Sequence, residues 1–156
     1  MSQENVEVIR AGYAAWAKRD LNAWLETLHP EVEFQTSGLF PDLAPIYRGH
    51  RGMRSFWESM LAPWESFRLD VERIVEDDEC AAVAIRFRAQ GRGSGVHTDL
   101  RQGHALRFEV ARIVKVRLTP PLKRPSRPPG SRVTGRRRNS DDFRACAWCL
   151  ARCLVL

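Results

Sequence analysis

From Phe67 to Val116 apolar residues recur at every second position, in one run after another. Phe67, Leu69 and Val71 alternate with polar neighbours. "CAAVAIRFRAQ" sets Val83, Ile85 and Phe87 on one face, and "HTDLRQGHALRF" does the same for Gln102, His104, Leu106 and Phe108. A period of two describes pleated strands with one buried face. "GRGSG" reads as a hairpin connection, and "ARIVKV" supplies a last strand. Strands that follow one another so closely pair antiparallel, because a parallel pair needs a long crossover.

The cover for that buried face has to come from the front of the chain. Val6, Ile9, Tyr13, Trp16 and Ala17 recur at helical spacing behind a capping Ser2. Asp20 opens a second helix with Leu21, Trp24, Leu25 and Leu28 on one face. His29-Pro30 ends it, since a residue before proline is driven out of the helical region. "EVEFQ" alternates, with Val32 and Phe34 pointing one way, and "GLFPDLAP" is a loop. After the turn "YRGHRG", Met53, Phe56, Trp57 and Met60 mark a third helix. This order predicts an α+β fold, three N-terminal helices packed on one face of a curved antiparallel sheet. Such a cone has an apolar interior, a natural small-molecule site.

Charge divides the chain at the same place as pattern. Residues 117–156 hold 10 Lys/Arg against 2 Asp/Glu, a balance of +8, while residues 1–116 hold 15 against 17, a balance of −2. The body is near-neutral and makes no electrostatic case for nucleic acid. "MSQENVEVIR" lacks the apolar core of a signal peptide, and no apolar run is long enough to span a bilayer. The expectation is a cytoplasmic protein with no membrane partner. Of four cysteines only Cys80 lies in the body, in an apparent strand, where a buried inert thiol is expected.

Three blocks carry a family resemblance: "ENVEVIRAGYAAWAKRDLNAWLETLHPEVEF", "YRGHRGMRSFW" and "GRGSGVHTDLRQGHALRF…ARIVKV". In this order they resemble the SnoaL-like branch of the nuclear transport factor 2-like superfamily, over about residues 3–116. The resemblance implies a cone of three helices on a bent sheet, a homodimer through the sheet's outer face, and an apolar pocket entered from the open end. The superfamily includes ketosteroid isomerases, epoxide hydrolases, dehydratases, polyketide cyclases and non-catalytic binders. The isomerases place a carboxylate base at the end of the first strand, where this chain has Thr36, which has no base form at neutral pH. Tyr13 stands near their first-helix oxyanion donor. The epoxide hydrolases hold a water with Asp-Arg-Asp; Asp99 and Arg101 match a fragment of that set, without the third aspartate.

His104 is the leading catalytic candidate, set with Gln102 among inward apolar residues and titrating near neutrality by type. A hydrogen-bonded core histidine is the competing reading. Trp16, Phe34, Tyr47, Phe56 and Trp57, with Asp99, are candidate pocket residues, the aromatics competing with a plain core role. Arg86 and Arg88 alternate with Ile85 and Phe87 and should face outward. "GRGSG" lacks the Lys-Ser/Thr ending of a phosphate loop. No histidine–carboxylate spacing suits a metal, so neither metal nor cofactor is expected. The functional expectation is a binder of a small apolar molecule that, as an enzyme, isomerises, cyclises or hydrates a carbonyl-bearing substrate. His104 would be the acid/base, with Gln102 or Tyr13 as hydrogen-bond donors. The alternatives are a non-catalytic ligand-binding or dimerisation module, and nucleic-acid binding through the tail.

The tail, 117–156, is rich in Arg and Pro and is expected to be disordered and non-native. "RRRNS" could hold phosphate non-specifically, and Cys146, Cys149 and Cys153 form an incomplete zinc set. The family continues instead into a strand reading roughly V-D-S and a helix reading roughly E-E-A-L-E-A-A-G-L. Joining the last base of each codon to the first two of the next, from the Arg117/Leu118 junction, permits Val-Asp-Ser. From the Leu122/Lys123 junction it permits that whole helix. The reading is a frame shift near residues 109–118.

Overall fold

The computed structural model describes residues 3–77 and 80–120. Ser2 as a cap and the tail motifs beyond Pro120 lie outside the described residues. Helices α1 (Gln3–Lys18) and α2 (Leu21–Glu26) come first, then strand β1 (Leu28–Gln35). Strand β2 (Ile46–Arg48) leads into helix α3 (Gly49–Leu61), and strands β3 (Trp64–Asp77), β4 (Cys80–Gly91), β5 (His97–Glu109) and β6 (Arg112–Leu118) follow. The six strands form one sheet in the order β2-β1-β6-β5-β4-β3, with β1 and β6 parallel and every other pair antiparallel.

Local chemistry fixes the helix ends. α1 closes with Arg19 in the left-handed region at φ 57, where Asp20 N bonds Ala15 O at 2.9 Å and Arg19 N bonds Trp16 O at 3.1 Å. These crossed bonds satisfy carbonyls the helix would leave open. Asp20 then accepts from Ala23 N at 3.0 Å and caps α2. α2 ends earlier than the sequence suggests: Thr27 caps it, and Leu28 already belongs to β1, which carries Pro30 within it. Thr27 O accepts from Ile113 N at 3.0 Å, so strand pairing with β6 replaces another helical turn. Tyr47 and Arg48, expected in a turn, form β2 by pairing with Phe34 and Glu33.

The alternation of the long strands holds with one interruption. Val83 and Ile85 are fully buried and Phe87 is 1% exposed. Val71, expected inward with Phe67 and Leu69, pairs with buried Ile85 yet is 38% exposed; a register shift after it, between Val71 and Arg73, changes the parity so that Ile74 packs on the core. The outer face carries ion pairs, Arg86 with Asp99, Arg101 with Glu72, and Arg88 and Arg68 with Asp70. Arg86 and Arg88 therefore face outward as the alternation requires. β6 continues past the expected domain edge at 116, with Leu118 and Thr119 both buried.

Candidate functional site

α1 supplies Tyr13 and β5 supplies His104 and Gln102 to an apolar cavity between helices and sheet, about 80 Å³ and partly open to solvent. Trp16, Trp24, Phe34, Phe40, Phe56, Phe67 and Phe87 give it aromatic walls, and aliphatic side chains from β1, β5 and β6 close the rest. No Asp, Glu, Lys or Arg lines it.

Tyr13 Oη lies 2.6 Å from His104 Nδ1, with the two rings stacked at 5.9 Å. Burial pushes the phenol well above its ordinary pKa and lowers the imidazole from 6.5 to about 4, so both are neutral near pH 7. Neutrality leaves two proton arrangements. In one, Nδ1–H donates to the phenol oxygen and Nε2 is left as an acceptor. In the other arrangement the phenol donates to Nδ1 and His104 carries its proton on Nε2. Trp64 Nε1 is the one occluded side-chain nitrogen or oxygen without a partner among the described residues. Nε2 of His104 has no protein partner either, so it is open to the cavity.

Gln102, 3% exposed, is held by groups the sequence reading did not single out. Its Nε2 donates to Thr119 O at 2.7 Å and to Ser37 Oγ at 3.0 Å. A backbone carbonyl only accepts, which fixes the amide nitrogen toward Thr119. Thr119 is itself pinned, accepting from Gly103 N at 3.0 Å and donating to Gly103 O at 3.1 Å through its hydroxyl. The remaining Gln102 Oε1 has no partner among the described residues and is not occluded, and Gln102 lines the cavity.

Of the expected residues, Tyr13, His104, Gln102, Trp16, Phe34 and Phe56 meet at this cavity. Tyr47 and Trp57 do not line it. Tyr47 packs on Phe56 and accepts from Ala44 N through its hydroxyl at 2.9 Å, while Trp57 is stacked behind Trp16 with centroids 4.0 Å apart. Asp99 is a correction: it lies on the outer face, its carboxylate gripped by Arg86 at 2.8 and 2.6 Å. That guanidinium holds Asp99 below the usual carboxylate range. Period two already separates odd-numbered Asp99 from Gln102 and His104. Thr36 donates to Ala44 O at 2.9 Å and stands outside the cavity wall. Trp24, Phe40, Phe67 and Phe87 were missed as wall residues. Phe67 and Phe87 carried a signal, sharing the inward parity of their strands; Phe40 carried none, since only the loop's path brings it over Trp64 and Phe87. Among the described residues no cluster of His, Cys, Asp or Glu could hold a metal ion, and no helix is long and apolar enough to cross a membrane.

A curved sheet and three helices around an aromatic cavity with buried polar groups define a cone of the nuclear transport factor 2-like type. The SnoaL-like domain model matches residues 9–116, and the chain belongs to that family. No curated protein matches it. Among solved structures it is similar to a nuclear transport factor 2-like protein of unknown function from Burkholderia pseudomallei, at 28% identity and TM-score 0.70, covering 76% of this chain and 90% of that one. TerC, co-crystallised with polyporic acid, is similar at 22% identity and TM-score 0.69, covering 74% and 90%. A protein described as a SnoaL-like polyketide cyclase from Jannaschia matches at 15% identity and TM-score 0.66, covering 76% and 88%.

Proposed function

We propose that the protein binds a small, largely apolar molecule bearing a carbonyl oxygen, and that His104, oriented by Tyr13, donates to that oxygen and polarises it. The observation that carries this is the 2.6 Å bond between Tyr13 and His104 inside a wall of aromatic side chains without charge. A neutral imidazole N–H in an apolar cavity stabilises negative charge developing on oxygen, the requirement of enol-forming isomerisation, cyclisation or hydration. With a pKa of about 4, His104 serves better as a donor than as the base expected from its residue type. Acetophenone deuterated at its methyl group tests the catalytic reading without a known substrate. Wild-type protein should speed loss of deuterium to water and His104→Leu should not; equal rates would remove catalysis from the account.

A second reading is a binding module without catalysis. Thr36 supports it, standing where the isomerases place their base with its hydroxyl committed to the Ala44 carbonyl. Acetophenone that binds but does not exchange would select this reading. Homodimerisation through the outer face of β3–β5 also belongs to the proposal. Small residues Ala82, Ala84 and Ala105 beside arginine–carboxylate pairs leave that face flat and of mixed charge. Light scattering should give about twice 17.9 kDa.

A further inference from the structure

We infer that the cavity selects a neutral ligand carrying both a hydrogen-bond acceptor, for His104 Nε2, and a donor, for Gln102 Oε1: a hydroxyl-bearing ketone or its enol. This rests on the cavity being a ligand site and specifies what that site reads. β5 puts Gln102 and His104 on one face two residues apart, about 6.6 Å along the strand. Both amide hydrogens of Gln102 are taken, by Thr119 and Ser37, so the group it turns to the cavity can only accept. With the phenol of Tyr13 donating to Nδ1 of His104, the group that histidine offers is the Nε2 hydrogen. One donor and one acceptor are thus fixed in place before any ligand arrives. A purely apolar ligand would strip water from both and pair neither. A carboxylate would meet no cation, because Arg86, Arg88 and Arg101 are engaged on the opposite face of the sheet.

Calorimetric titration of the full chain with single-ring probes tests this, at a pH where the phenol is unionised. The probes are ethylbenzene, acetophenone, para-hydroxyacetophenone, para-methoxyacetophenone and benzoate. Para-hydroxyacetophenone should bind roughly fivefold to tenfold tighter than acetophenone, the worth of one hydrogen bond. Para-methoxyacetophenone should lose that gain, and benzoate should bind more weakly than acetophenone. Gln102→Leu should erase the hydroxyl's gain, so that para-hydroxyacetophenone binds that variant no tighter than acetophenone does. A hydroxyl without effect in the wild-type protein, or a methoxy compound that binds as tightly, overturns the inference while the cavity remains a ligand site. Failure of every probe, ethylbenzene included, overturns both.

Discussion

Tyr13 and His104 stand 91 residues apart in the chain and share a hydrogen bond of 2.6 Å. Tyr13 rides on α1 and His104 on β5, so the bond closes only when the helices cover the sheet. The same contact that seals the fold leaves Nε2 as the histidine's free ring nitrogen at the cavity.

Tyr13→Phe should separate those roles. It deletes one part-buried hydrogen bond and should cost about 1 kcal/mol of stability, read by urea unfolding. It also frees Nδ1 to carry the proton, so acetophenone affinity should fall by roughly fivefold in titration. Unchanged affinity with lowered stability would reduce Tyr13 to a packing residue.

The pH dependence of stability follows from the histidine. In the unfolded chain it gains its proton near pH 6.5, in the cavity not until about 4. Between those values the unfolded state binds more protons, so stability falls as pH falls through this window. The group contributes no slope above or below it, and its whole loss is at most about 3 kcal/mol. His104→Leu should flatten this part of the curve, measured by urea unfolding from pH 7 to 4. Asp70 and Asp99, held low by arginines, titrate below their ordinary value of 3.8 and so act at still lower pH.

Much of this architecture was legible because burial imposes a period. Met53, Phe56, Trp57 and Met60 are all buried on α3, and Val83, Ile85 and Phe87 on β4, as their spacing demands. The errors came where a tertiary partner overruled local pattern. Leu28 fits a helical face, yet pairing with Ile113 makes it strand. Beyond Val71 a bulge inverts the parity, and Ile74 takes the inward side. Periodicity put Gln102 and His104 on the inner face, but their partners were invisible. Ser37, Thr119 and Tyr13 converge on them only through folding.

The β5–β6 turn is a place where this sequence strains its own fold. Val110 and Ala111 both have positive φ, 47 and 56, between the paired residues Glu109 and Arg112. A two-residue hairpin of this shape suits Asn-Gly, and a β-branched residue is strained there. Val110→Asn with Ala111→Gly should raise stability by about 1–2 kcal/mol. A lower thermal midpoint for this variant would contradict the assigned turn.

We propose that the reading frame shifts near residues 109–118. The family match ends at residue 116, and the codon junctions beyond it permit the residues of the family's closing strand and helix in a shifted frame. Resequencing the gene from Phe108 to Ser131 should show a single-base insertion or deletion. An intact frame would make the basic tail a native feature of this protein.

A crystal structure with acetophenone bound tests the central claim most directly. The account expects the ring between Trp16, Phe56 and Phe87, with the carbonyl oxygen about 2.7–3.2 Å from His104 Nε2. An empty cavity, or a ligand whose oxygen turns away from His104, would contradict it.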